Sequence, residues 1–162
     1  MIEVESLTRI ETTLRPLAFV GSDGEIASAA AEWAQHGMTV RTVRGRKMRT
    51  IPRLFDEFAA ALQFPSYFGE NRDAFDECLA DLEGLALGAG LVIVVLQPDQ
   101  LLADEAEGEL FWFVQSLTSA ARAWSSAIER GEWWDRPAAP FHVVLAGDAG
   151  QVSSALQSLE LT

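Results

Sequence analysis

The sequence predicts an α/β fold in which a mainly parallel sheet is covered by helices. Three observations carry this. The run Leu91-Val92-Ile93-Val94-Val95-Leu96 is apolar without interruption, as in a central strand buried on both faces. Segments with one apolar stripe at helical spacing alternate along the chain with short β-rich runs. The first three such segments, between Leu17 and Val43, run strand, helix, strand, an order that joins parallel strands by a crossover.

Taken in order, Leu17-Ala18-Phe19-Val20 is a short strand that ends at the turn Gly21-Ser22-Asp23-Gly24. Glu25 to His36 places Ile26, Ala29, Ala30, Trp33 and Ala34 on one helical face, and Gly37 stops that helix. Thr39 to Val43 is a strand closed by Arg44-Gly45-Arg46-Lys47. Thr50 is expected to cap a helix from Ile51 to Leu62, with Pro52 tolerated in its first turn. Its stripe is Ile51, Leu54, Phe55, Phe58, Ala59 and Leu62. The next helix is expected from Arg72 to about Glu83, and a glycine-rich loop from Gly84 to Gly90 leads into the strand at Leu91. Asp104, Glu105 and Glu107 suit the start of a helix whose apolar positions run from Leu110 through Trp124 to Ile128. Gly131 to Pro137 is a loop, Phe141 to Leu145 a strand, and Val152, Ala155, Leu156 and Leu159 line a short final helix.

At 162 residues, 49% apolar and 22% charged, the chain suits one soluble domain with a core that needs no staples. No apolar run is long enough to span a membrane. The acidic start Met1-Ile2-Glu3-Val4-Glu5 lacks the layout of a signal peptide, and Cys78, the only cysteine, excludes an internal disulfide. A cytoplasmic protein is expected. The net charge of −12 is uneven: residues 1–53 carry 8 basic and 6 acidic side chains, and the remainder carry 4 and 18. Such a field repels nucleic acid and steers a basic partner inward.

The most informative stretch runs from Pro65 to Leu79. Gly69 suits a positive φ, and Asn71 is a good N-cap. Downstream, Ala74, Phe75, Cys78, Leu79 and Leu82 form one face, which must be core. The opposite face holds Asp73, Asp76, Glu77, Ala80 and Asp81. Like charges three and four residues apart cost a few tenths of a kcal/mol per pair, only partly recovered at the positive end of the helix dipole. The alternatives are a plain solvated face and a docking surface for clustered Arg and Lys. Tyr67 and Phe68 precede the cap; Phe68 reads as core filler, whereas the polar tip of Tyr67 favours a half-exposed position of the kind enriched in binding hot spots.

This run, Pro-x-Tyr-Phe-Gly-Glu-Asn-x-Asp-Ala-Phe-x-x-Cys-Leu, resembles the signature of the barstar family of ribonuclease inhibitors. The resemblance extends over residues 39–147, about two-thirds of the chain. Residues 1–38 then read as an N-terminal strand–helix addition, 125–140 as an insertion and 148–162 as a C-terminal extension, all expected in one compact unit. The resemblance implies a barstar-like fold, a small three-stranded parallel sheet covered by helices. It also implies an inhibitor that lays its aromatic turn and acidic helix into a nuclease active site. The implied contact residues are Tyr67, Phe68, Gly69, Asn71, Arg72, Asp73, Asp76 and Glu77, with Ala80 beyond. Glu77 is one methylene longer than the aspartate anchor of barstar, Arg72 replaces an apolar residue, Asp76 a tryptophan and Ser119 a glutamate. A nuclease other than barnase is the implied partner, whether a secreted ribonuclease or a nuclease toxin. The other reading is a barstar-fold binding module that recognises a basic partner and is not an inhibitor.

No sequence pattern points to an enzyme. There is no nucleophile with a base partner, no phosphate loop and no Gly-x-Ser-x-Gly. His36 and His142 lie far apart without ligand-spaced neighbours, so no metal or other cofactor is expected. The basic residues from Arg41 to Arg53 read as a solvated edge paired with local acids rather than as a nucleic-acid site. Trp133 and Trp134 either pack the insertion onto the body, which is the expectation, or form part of a partner or dimer surface.

Overall fold

A computed structural model describes residues 2–3, 17–147 and 152–157. The strands are β1 (Ile2–Glu3), β2 (Leu17–Gly21), β3 (Thr39–Arg44), β4 (Leu91–Leu96) and β5 (Phe141–Ala146). The helices are α1 (Asp23–Gln35), α2 (Ile51–Leu62), α3 (Arg72–Asp81), α4 (Glu107–Trp124) and α5 (Ser154–Gln157). The strands form one sheet in the order β1-β2-β5-β4-β3, and every neighbouring pair is parallel. The strand–helix–strand unit at the N-terminus is therefore a crossover, but a wide one. β2 pairs with β5 and β3 with β4, so α1 carries the chain from one side of the central pair to the other.

α1 begins two residues earlier than the apolar spacing predicts. Ser22 caps it: its hydroxyl accepts from Glu25 N–H at 3.3 Å, and the Glu25 carboxylate accepts from Ser22 N–H at 2.8 Å. This reciprocal box satisfies two amides that the helix leaves without partners. Gly37, with φ +86°, stops the helix in a conformation that L side chains resist. Gly45 serves by size: a Cβ there would lie 1.9 Å from Gln97 O.

The two faces of the sheet are covered unequally. Val20, Val43, Ile93, Val95, Val143 and Leu145 point into the larger core, beneath α2, α3, α4 and α5. Val92, Val94, Val144 and Ala146 point the other way and are covered by Ile26 and Trp33 of α1 together with Met38. The apolar run of β4 is thus buried on both faces, as its sequence predicts, and the second face depends on α1.

α2 starts at Ile51 as expected, but Thr50 makes no side-chain cap. The amide of Ile51 donates instead to the Glu105 carboxylate, 54 positions away, at 2.9 Å. α4 ends at Trp124, so Ile128 lies beyond it and pairs with Arg136 in an isolated antiparallel bridge. α3 ends at Asp81, where Leu82 takes a left-handed conformation. Leu156 of the final helix is buried, as is Val152, which the sequence places on that helix but which precedes its first residue, Ser154; the anticipated Leu159 lies outside the described residues, as do most of the N-terminal residues before β2. Among the described residues no helix is long and apolar enough to cross a membrane.

Candidate functional site

α3 is held to the body by its aromatic centre. Phe75 is fully buried, with ring centroids of Phe58, Phe55, Trp112 and Phe64 at 5.3, 5.6, 5.6 and 6.0 Å. Edge-to-face and tilted contacts of this kind each add about 0.5–1.5 kcal/mol beyond the area they bury. Leu79 and Leu82 complete the inward face, whereas Ala74 and Cys78 are only half-buried at its margin. With the helix pinned along that side, Asp73, Asp76 and Glu77 are exposed on the other, and Ala80 is half-buried beside them. None of these three carboxylates makes an ion pair among the described residues.

The start of α3 is built as expected at Asn71, whose side-chain oxygen accepts from Ala74 N–H at 2.9 Å. The left-handed residue ahead of it is not Gly69 but Glu70, with φ +49°. Gly69 matters for space instead, since a Cβ there would lie 3.0 Å from Asn71 Nδ2, which donates to Gly69 O at 3.3 Å. Phe68 is turned inward, 5.2 Å from Phe64 and 5.6 Å from Phe55. Tyr67 is turned outward and 73% exposed, and its hydroxyl donates to the Glu83 carboxylate at 3.2 Å. That bond, followed by the charge of Glu83, raises the pKa of the phenol.

Arg72 does not face outward with the acids. Its guanidinium pairs with Glu109 of α4 and lies 4.8 Å from the centre of the Trp112 ring. The one cation within α3 is therefore engaged by α4, which leaves the acidic face uncompensated. Ser119, also on α4, is exposed and brings no charge. The Cys78 thiol has its pKa raised by burial and then by Asp81 and Glu77, the opposite of an activated nucleophile. No group of metal-binding side chains occurs among the described residues. Two cations of the basic stretch are paired, Arg44 with Glu57 and Arg49 with Asp104, both at 2.7 Å, but the acids lie 13 and 55 positions away rather than close by in the sequence.

The sequence does not reveal the second wall beside α3. Residues of the 125–140 segment line a cleft of about 890 Å³ together with Glu77, Ala80, Asp81 and Glu83. Trp133 and Trp134 stand on that wall, 84% and 46% exposed, so the expected packing onto the body fails for Trp133. The adjacent tryptophans in a loop were the available signal; which way they face depends on how that segment is anchored.

Residues 38–146 match the family described as Barstar (barnase inhibitor). No curated protein matches the chain.

Proposed function

The chain belongs to the barstar family, and from that premise we propose that it is a proteinaceous inhibitor of a ribonuclease, acting inside the cell that holds it. The family is one of inhibitors, and we assign no reaction to this chain. The reading has the α3 face and the aromatic turn enter the nuclease active site. Asp73, Asp76 and Glu77 replace substrate phosphates opposite the nuclease's basic groups, and Tyr67 packs on the base-binding side. Gly69 and Asn71 hold the turn, Phe68 supports it from beneath, and Arg72 and Ala80 border the contact. The body of the protein then excludes RNA.

The observation that carries the reading is the uncompensated charge of this face. Three exposed carboxylates share one helix surface, and the adjacent cation is tied to Glu109. Complementary charge on a partner would speed association and set its register. The free thiol of Cys78 suits a reducing cytoplasm.

The test is a titration of the protein into assays of barnase, of a small acidic microbial ribonuclease and of any nuclease encoded nearby. Stoichiometric inhibition of one of them is expected. Inhibition of none would leave a barstar-family binding module with another basic partner.

A further inference from the structure

The insertion presents its two tryptophans from a built platform. Ile128 and Arg136 exchange backbone hydrogen bonds at 2.8 and 3.1 Å, and the Asp135 carboxylate accepts from the amides of Arg130 and Gly131 at 3.0 and 2.7 Å. On this hairpin the Trp133 and Trp134 rings meet edge to face, 5.5 Å apart. Exposed apolar residues scattered singly are ordinary, but a fixed aromatic pair on the wall of a cleft is the composition of a binding hot spot.

The opposite wall is acidic. Asp81 has its carboxyl pKa pushed up by burial and then by repulsion from Glu83, with Arg136 opposing. Among the described residues Arg136 is the only cationic side chain lining the cleft, and its guanidinium is directed at the Trp124 ring and at two helix carbonyls. Glu77 and Ala80 belong both to this cleft and to the α3 face, so the two surfaces are continuous.

We propose that the cleft receives an arginine-bearing segment of a protein partner, its guanidinium stacked on the Trp133–Trp134 pair and hydrogen-bonded to Asp81 and Glu83. Arginine rather than lysine fits, because a planar, weakly hydrated guanidinium stacks on an indole while its N–H groups reach a carboxylate. The insertion thereby extends the α3 face into a two-walled site. The inference rests on the reading above only for the identity of the partner.

The probe is a short peptide of alternating arginine and glycine, titrated into the isotope-labelled full chain and followed at the tryptophan indole N–H resonances. Those of Trp133 and Trp134 should shift and saturate, while that of buried Trp33 should not. The variant W133S/W134S, altered only on the hairpin surface, should bind roughly tenfold more weakly. D81N should also weaken binding, and the lysine counterpart of the peptide should bind less well than the arginine one. Shifts confined to α3 amides from Asp73 to Glu77, or unchanged affinity in W133S/W134S, would overturn the proposal. Failure to inhibit any ribonuclease would remove the inhibitor reading alone, since the peptide decides the cleft without a nuclease.

Discussion

The guanidinium of Arg136 lies 3.5 Å from the centre of the Trp124 ring. Through that contact one side chain of the 125–140 segment ties together the C-terminal ends of two helices. Arg136 Nη2 also donates to Ala80 O of α3 at 3.4 Å and to Ala123 O of α4 at 3.2 Å. These carbonyls lie in the last turns, where helical partners run out and the dipole favours a cation. Trp124 completes the link, its indole N–H donating to Leu79 O at 2.9 Å. Arg136→Ala should cost about 1–3 kcal/mol of stability, read from urea unfolding. Arg136→Lys should not restore it, because a compact ammonium cannot stack and reach two carbonyls together. A wild-type midpoint in Arg136→Ala would mean that this segment is anchored elsewhere.

The capping of α2 by a distant carboxylate separates two substitutions that local sequence would rank the other way. Glu105→Ala should lose about 1 kcal/mol, the usual cost of removing a cap, and Thr50→Ala only a few tenths. Equal losses in the two unfolding curves would refute the long-range cap.

The second face of the sheet should fail without α1. Trp33→Ala should destabilise by about 3–5 kcal/mol, as large-to-small changes in a core do. A chain shortened to begin at residue 39 should expose Val92, Val94 and Val144 and aggregate, visible by light scattering. A soluble, cooperatively folding fragment would show that α1 is dispensable.

Two carboxylates should move acid stability in opposite directions. Glu57 accepts from Arg44 Nε at 2.7 Å, and that bond holds its carboxyl below the usual range. Its contribution is present above the unfolded glutamate value of about 4.3 and is lost as pH falls through the lower folded value. Asp81 has a raised pKa, so the folded state keeps a proton that the unfolded state has already released. Its ionisation therefore removes stability as pH rises from about 3.9 through the folded value. Unfolding midpoints measured across that range should show Glu57→Gln with a flatter acid limb. Asp81→Asn should be neutral or slightly stabilising near pH 7; a clear loss there would contradict the sign.

On the acidic face, Asp73→Ala and Glu77→Ala should each weaken inhibition of the target ribonuclease by at least about tenfold and reduce its salt dependence. Tyr67→Phe, which removes only the bond to Glu83, should change affinity far less than Tyr67→Ala. Unchanged inhibition in the Asp73/Glu77 double variant would exclude phosphate mimicry on α3 while leaving the fold untouched.

Much of the fold was legible because its signals are local. The unbroken run from Leu91 to Leu96, the stripe from Ile51 to Leu62 and the cap at Asn71 each depend on residues a few positions apart. So does the division of α3 into a Phe75 face and an Asp73–Asp76–Glu77 face, since a helix period sorts side chains whatever surrounds it. Tertiary structure decided what depends on partners far along the chain. It seated β2 against β5 rather than β3, capped α2 with Glu105 in place of Thr50, and drew Arg72 toward Glu109 and Trp112. It also turned Arg136 inward and left Trp133 outside, although both belong to one short segment. The physical reason is shared by these cases: each choice is settled by hydrogen bonds, ion pairs and ring contacts between segments that only the folded chain brings together.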